Sequence, residues 1–500
     1  MPETPETPET PDMLSVEAYV AEVLAALAPL PAADTPLAAA HGLVLAQDVT
    51  AALPVPPWTN SAMDGYAVRA QDTGSAAPQA PVVLPVTGDV PAGAVPEPLV
   101  PGTAQRIMTG AMMPENADAV VRVEDTDQMP GPHPAPAEVR IRAAARAGLN
   151  VRRAGEDVGI GDPVLAAGTP LSAAAVASLA SVGLGAVRAV PRPRVAVVST
   201  GAELIDPGRA LPVGAVPDSN SLLLAGLVAE HGAALASVSR SGDTAASLAE
   251  ALTEAARGAD LIVTSGGVSA GAFDPLVMLA EDDSAAGGPV RLRFAKVAMQ
   301  PGKPQGHGTV RIEDGGTHRE VPVITLPGNP VSVLVSFTTV VAPALARLAG
   351  HDAASGTPAG TGNRCAQPAR PARPSRNAPL VRARAAVAWR TPAARRQHVP
   401  VRFVDAPARA SASAPAPGAA PESAVLWVEP THRLGSGSHL VASLPAAEAL
   451  AVVDEDVPEV GVGDEVGLIA LSAPAAPGSG RPPRVRGPEP TLTGTCRSTA

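Results

Sequence analysis

The sequence predicts a multidomain α/β protein, with a doubly wound, mainly parallel α/β domain at its centre. A helical/β unit and a β-rich unit precede that domain, and a small β-barrel-like domain follows it. Three observations predict this. Buried-strand runs near 194–199, 236–240, 260–264 and 322–326 alternate with helix-length segments, which is the pattern of βαβ units with both sheet faces covered. Short apolar runs cut by Pro/Gly turns fill 41–55 and 81–148, as a β-rich unit requires. The 500 residues also exceed what one compact core holds.

The elements follow in order. The opening MPETPETPETPD (residues 1–12) has no basic region and no apolar stretch, so it reads as a disordered acidic tail and not as a secretory signal. Residues 14–29, LSVEAYVAEVLAALAP, repeat apolar positions at helical spacing with Ser15 as N-cap. Residues 158–190 carry turn signals and then SAAAVASLASVG, which returns to the character of the first helix. From 194 to about 350 strands and helices alternate. Pro/Ala/Arg-rich stretches at 352–379 and 406–422 flank short strands in 380–404 and 424–471 (AVLWVEP, HLVASL, ALAVVDE, EVGLIAL). The last residues, 473–500, form a Pro/Gly/Arg tail expected to be disordered.

Composition narrows the function. Aromatics are only 2% of the chain, so the cores must be built from Ala, Val and Leu. Lys and Arg number 37 against 48 Asp and Glu, net −11, which disfavours nucleic acid as the main partner because phosphate-backbone binding needs a cationic surface. Every apolar run is read as broken by Pro, Gly or charge before the ~18 residues that span a bilayer, so no membrane association is expected. Cys365 and Cys496 lie in low-complexity sequence without CxxC or Cys/His spacing, which argues against disulfides and thiolate zinc and fits a reducing cytoplasm. The histidines show no HxH, HxxxH or HExxH spacing, and neither a Walker A loop nor a GxGxxG is present.

In open α/β sheets ligands bind beyond the carboxyl ends of the strands. Three turns there stand out: Ser199-Thr200-Gly201-Ala202-Glu203, Thr264-Ser265-Gly266-Gly267-Val268-Ser269-Ala270-Gly271, and Leu326-Pro327-Gly328-Asn329-Pro330. Each puts small residues where backbone N–H groups and hydroxyls can approach an anion, and two lead into helices. The alternative is that glycine and proline merely make tight turns. Glu203 and Asp274 place carboxylates at neighbouring strand ends beside these turns, suggesting Mg²⁺ held by oxygen ligands and bridging to a substrate phosphate. For Glu203 the alternative is a charge at a helix N-terminus. Lys296 and Lys303 flank Gln300-Pro301-Gly302 and are suited to a phosphate or tetrahedral oxyanion. In the N-terminal half, Asn60 to Arg69 and Asn150 to Val158 carry acids beside turns, and either could be an Asx-capped turn.

Taken together these segments resemble the molybdopterin molybdenumtransferase family, the molybdenum-inserting enzymes related to the gephyrin E domain. The matching pieces run in family order: NSAMDGYA (60–67), RIMTGAMMP with ADAVVRVED (106–125), NVRRAGEDV (150–158), STGAEL (199–204), PDSNS (217–221), TSGGVSAGAFD (264–274), KVAMQPGKP (296–304), LPGNPVS (326–332) and GSGSHLVASL (435–444). The resemblance covers about residues 14–471. It implies a discontinuous N-terminal linker domain (13–50 and 152–191), an inserted β-rich domain (51–151), an α/β molybdopterin-binding domain (192–350) and a C-terminal β domain (380–472) after a Pro-rich linker (351–379).

By resemblance the activity is Mg²⁺-dependent reaction of molybdate with adenylated molybdopterin, releasing AMP and leaving molybdenum on the dithiolene. Asp64, Thr109, Asp157, Glu203 and Asp274 fall on the family's functional sites, with Glu203 and Asp274 as the metal candidates. Ser199, Thr200, Gly201, Ser265, Gly266, Gly267, Pro327 and Pro330 would form the cradle. Lys296, Lys303 and Ser332 would face pterin phosphate or molybdate, and Ser438 would contribute from the C-terminal domain. The family also implies a homodimer whose site is completed by the partner's inserted domain, so Asp64 and Thr109 would act across the interface. An adenylating enzyme and molybdoenzymes are conceivable further partners. Three departures stand out: Asn116 where the family has glycine, Gln300 where it has lysine, and His398 and Pro400 where an aromatic and an arginine are expected. A pterin-binding scaffold without turnover and a tungstate insertase remain alternatives.

Overall fold

The protein is represented by a computed structural model, which describes residues 13–268, 274–286, 288–351, 381–407, 425–432 and 437–471. The two tails, the Pro-rich segment at 352–379, Cys365 and Cys496 lie outside the described residues.

Helix α1 (Val16–Ala25) starts where Ser15 Oγ accepts from the Ala18 N–H at 3.1 Å, satisfying one of the donors that a helix start leaves open. Tyr19, Val23 and Leu27 project from one face into the core of the central α/β layer. The helix therefore packs on that layer, and the segment at 158–190 belongs to another core. Strands β1 (Ala33–Pro36) and β2 (Val44–Leu45) both pair antiparallel with Ala186–Val190. Between β2 and Ala186–Val190 in sequence hangs a five-stranded sheet of β3 (Gly65–Val68), β4 (Val82–Val90), β5 (Ala104–Ile107), β6 (Ala119–Arg122) and β7 (Glu138–Ile141), in the order β6-β3-β5-β4-β7. Asn116 takes a left-handed φ of 71°, a conformation asparagine tolerates better than most residues, which explains how it stands in for glycine. Helix α2 (Ala173–Ser181), capped by Ser172, and the Ala186–Val190 strand (β8) pack with Leu37, Leu43 and Leu45.

The central sheet follows, with β9 (Arg194–Thr200), helix α3 (Asn220–Glu230), β10 (Ala234–Ser241), helix α4 (Ala245–Gly258), β11 (Leu261–Ser265) and helix α5 (Pro275–Ala286). Then come β12 (Val290–Lys296), β13 (Pro304–Asp314) and β14 (Thr317–Leu326), and the strand order is β10-β9-β11-β14-β13-β12. The first four strands are parallel, while β13 and β12 add an antiparallel side. That side lies in sequence where no strand is singled out above. Alternation along β9 sends Val195 and Val197 to one core and Ala196 and Val198 to the other, as period-two geometry demands. The first core also takes Leu224 of α3, and the second Leu248 and Leu252 of α4.

Helix α6 (Pro330–Ser336) continues through a π-helical turn at Phe337–Val341 into α7 (Ala342–Leu348). This 19-residue unit is apolar enough to cross a membrane by length and composition, which corrects the expectation that no such run exists; 83% of its most apolar window is buried inside the protein. It is a core helix of the α/β layer, carrying Val333, Phe337 and Leu345 into the same cluster as Val195.

In the C-terminal part, β15 (Val381–Ala385), β16 (Arg396–Val404), β17 (Trp427–Pro430), β18 (Ala449–Val453) and β19 (Glu465–Ala470) pair in a ring, β16-β17-β15-β19-β18 and back to β16, closing a five-stranded barrel. Closure leaves no open edge. The HLVASL segment is a correction, since Val441–Ala446 forms a 3₁₀ helix in place of a strand. Met299–Gln300 runs parallel to Arg396–Gln397, so the barrel is joined to the α/β layer by backbone pairing.

Candidate active site

The three turns converge. Gly266 and Gly267 both have left-handed φ, 88° and 74°, and a Cβ on Gly266 would stand 2.8 Å from the Thr200 carbonyl oxygen and from its hydroxyl. Only glycine lets the turns after β9 and β11 approach this closely. The Gly266 N–H donates to the Leu326 carbonyl at 3.0 Å, and the Asn220 side chain donates to the Gly328 carbonyl at 2.7 Å. The third turn is thereby tied to the second turn and to the start of α3.

These turns wall a cleft of about 710 Å³ at the carboxyl ends of the parallel strands, where the fold class places its ligands. Of the residues singled out in the sequence, Thr200, Gly201, Glu203, Ser265, Gly266, Gly267, Asp274, Lys303, Pro327, Ser332 and Ser438 line it. Gln300, the lysine replacement, also lines it. Ser199, Lys296 and Pro330 are not among its lining residues. Ser199 is fully buried, its hydroxyl 2.7 Å from that of Ser221 and 3.3 Å from that of Ser265. Ser221 in turn donates to Asp218, so Ser199 supports the turn from below. Lys296 is exposed at the end of β12, with its carbonyl held by the Leu14 N–H. Pro330 begins helix α6, where its fixed φ suits the first turn.

Glu203 precedes a short strand, Leu204–Ile205, so the helix-charge alternative does not apply. Its carboxylate curls over Gly201, where a Cβ would stand 2.6 Å from Oε2. Asp274 is 7% exposed, and its Oδ1 accepts from the Leu276 N–H at 3.3 Å, within the first turn of α5. Residues Ser269 to Phe273 lie outside the described residues. A third acid was missed in the sequence. Asp243, just past β10, lines the cleft and accepts from the Ala202 N–H at 2.8 Å, fixing the first turn. The only sequence signal was an acid following a strand end and glycine, which is too common to single out. Among the described residues no three His, Cys, Asp or Glu side chains come together closely enough to hold a metal alone. Carboxylates are the ligand type that suits a hard cation, and so few of them would leave most of its oxygen shell to substrate phosphate and water.

Asp64 immediately precedes β3 and Thr109 follows β5, at the edge of the five-stranded sheet, and neither lines this cleft. Asp64 Oδ1 accepts from the Thr109 N–H at 2.6 Å and from its hydroxyl at 2.7 Å. These two bonds, the backbone one first, hold its carboxyl below the usual range. Asp157 does not line the cleft either; its backbone N–H donates to the Val55 carbonyl. From the barrel the cleft receives Ser438, whose carbonyl accepts from the Val331 N–H at 3.2 Å. His398 is 2% exposed and does not reach the cleft, and neither does Pro400.

An α/β layer with three nested glycine turns, acids and a lysine at its strand ends is the architecture of a phosphate- or oxyanion-handling enzyme. Residues 14–183 match the MoeA N-terminal region (domain I and II), and residues 196–347 match the probable molybdopterin-binding domain. The chain is 46% identical over 327 residues to molybdopterin molybdenumtransferase 2 of Mycobacterium tuberculosis, covering 65% of this chain and 76% of that protein. It is 37% identical over 313 residues to the molybdopterin molybdenumtransferase of a Nostoc species, covering 62% of this chain and 68% of that one. Among solved structures, the molybdopterin biosynthesis MoeA protein of Pyrococcus horikoshii aligns with a TM-score of 0.68 at 28% identity, over 92% of this chain and all of that one. The chain belongs to the molybdopterin molybdenumtransferase family, and its relatives are transferases of molybdenum cofactor biosynthesis.

Proposed function

We propose that the protein transfers molybdenum to molybdopterin, taking molybdate and adenylated molybdopterin and releasing AMP. The observation that carries this reading is the gathering of Glu203, Asp243 and Asp274 with Lys303, Ser332 and the three glycine turns around one cleft. Lys303 would attract the molybdate dianion as a point charge, and the Ser332 hydroxyl would donate to one of its oxygens. Backbone N–H groups of the glycine turns would donate to the substrate phosphate. Glu203 and Asp274 would hold Mg²⁺, which when bound would neutralise charge developing on the phosphate anhydride. Asp243 positions the Glu203 turn through the Ala202 N–H.

Asp64, Thr109 and Asp157 belong to this reading as residues supplied to the cleft of a second copy. Its support is that they lie outside their own chain's cleft and that Asp64 is held ionised. A cytoplasmic setting accords with the cytosolic supply of such phosphorylated substrates. Purified protein given Mg²⁺, molybdate and adenylated molybdopterin should release AMP. Binding of the pterin without AMP release would favour a scaffold, and equal turnover with tungstate would widen the oxyanion class.

A further inference from the structure

The loop carrying Lys303 is held by a side chain that the proposed chemistry does not use. Gln305 is 1% exposed; its Nε2 donates to the Gly302 carbonyl at 2.6 Å and to the Ser336 hydroxyl at 2.6 Å, with the Met299 sulfur at 3.8 Å. The Gly302 carbonyl belongs to the peptide bond that leads into Lys303. The carbonyl of Lys303 itself accepts from the Val297 N–H at 2.8 Å. The peptide planes on both sides of the Lys303 Cα are thus pinned, which fixes the direction in which its side chain leaves the backbone. Gly302 has φ 107°, and a Cβ there would stand 2.9 Å from the Ser336 hydroxyl, so the arrangement closes only over glycine.

Ser336 lies one turn after Ser332 on α6, on the same helix face. The Gln305 amide therefore ties the Lys303 loop to the helix that presents Ser332 to the cleft. Its Oε1 is buried without a hydrogen-bond partner. An apolar side chain would avoid that cost, so what the amide contributes at this position is its donor end. We propose that Gln305 is a positioning residue, setting the spacing of Lys303 and Ser332 at which a tetrahedral oxyanion is bound. This rests on the reading of the cleft given above.

The test uses the full chain with Gln305→Leu and Ser336→Ala, measuring AMP release against molybdate concentration together with Tm. Gln305→Leu removes both of the Nε2 hydrogen bonds and should raise the KM for molybdate about tenfold, with kcat changed much less. Ser336→Ala keeps the bond to Gly302 and should raise it less. An unchanged KM with a lowered Tm would reduce Gln305 to a packing role and overturn the proposal. If Gln305→Leu does not fold, Ser336→Ala carries the test, and a KM equal to that of the unsubstituted protein overturns it. If the unsubstituted protein releases no AMP, the functional reading fails on its own. Acetylation of Lys303 by an amine reagent, followed by mass spectrometry, then decides: an altered rate in Gln305→Leu supports the positioning role, and an equal rate overturns it.

Discussion

His398 shows what a single position in the barrel does to the whole chain's response to acid. Alternation along β16 turns Val399 and Val401 into the barrel core and His398 to the opposite face, where it is nonetheless buried and its Nδ1 has no hydrogen-bond partner. Burial, aided by the Arg396 charge, lowers its pKa to about 4 from the ordinary 6.5. The unfolded chain therefore takes up this proton first as the pH falls. The histidine's contribution is intact above about pH 6.5 and is lost on going down towards 4. In His398→Phe, Tm measured between pH 7 and 4.5 should fall less steeply than in the unsubstituted protein. Parallel curves for the two proteins would contradict this origin. Glu203, Asp274 and Lys303 were legible because each stands beside a glycine turn at a strand end. Asp243 was not, because its role is set by the Ala202 N–H, which is remote in sequence and reaches it only once β9 and β10 pair.

At the scale of elements, the parallel strands were legible because burial on both faces makes continuous apolar runs, as in RVAVVST and LIVTS. Strand β13 was not, because Gly306, Gly308 and their polar neighbours break up any apolar pattern. Strand β12 does carry a half-buried signal, Val290, Leu292 and Phe294 alternating with Arg291 and Arg293, which a search for continuous apolar runs overlooks. HLVASL misled for the opposite reason, since its short apolar run suits a strand, but among the described residues every barrel strand is already paired on both sides. Within β13, Gly308 marks a close approach: a Cβ there would stand 1.8 Å from the Arg291 carbonyl oxygen of β12. Gly308→Ala must push the two strands apart. It should lower stability by about 1–3 kcal/mol or more, read as a drop in Tm. A Tm unchanged within a degree would mean the strand pair yields freely.

For the whole molecule, the proposed sharing of the cleft between two copies makes a quantitative demand. Asp64→Ala and Asp274→Ala would each inactivate every site in their own homodimers. Refolded together from an equal mixture, half the dimers would carry one intact site, so about a quarter of the unsubstituted activity should return. No recovery in a mixture shown to exchange subunits would place Asp64 and Asp274 in the same chain's site or remove Asp64 from the reaction.

The five-stranded sheet that carries Asp64 leaves and rejoins the chain through one doorway. Asn60–Ser61 and Val151–Arg152 pair with each other antiparallel, Ser61 opposite Val151, so the two ends of the insertion stand only about 5 Å apart. A segment hung this way is a pendant on a clasp. Residues can be added to it or removed from it without shifting the register of β1, β2 and β8, so over generations its tip is free to change what it reaches while the layer behind it keeps its shape.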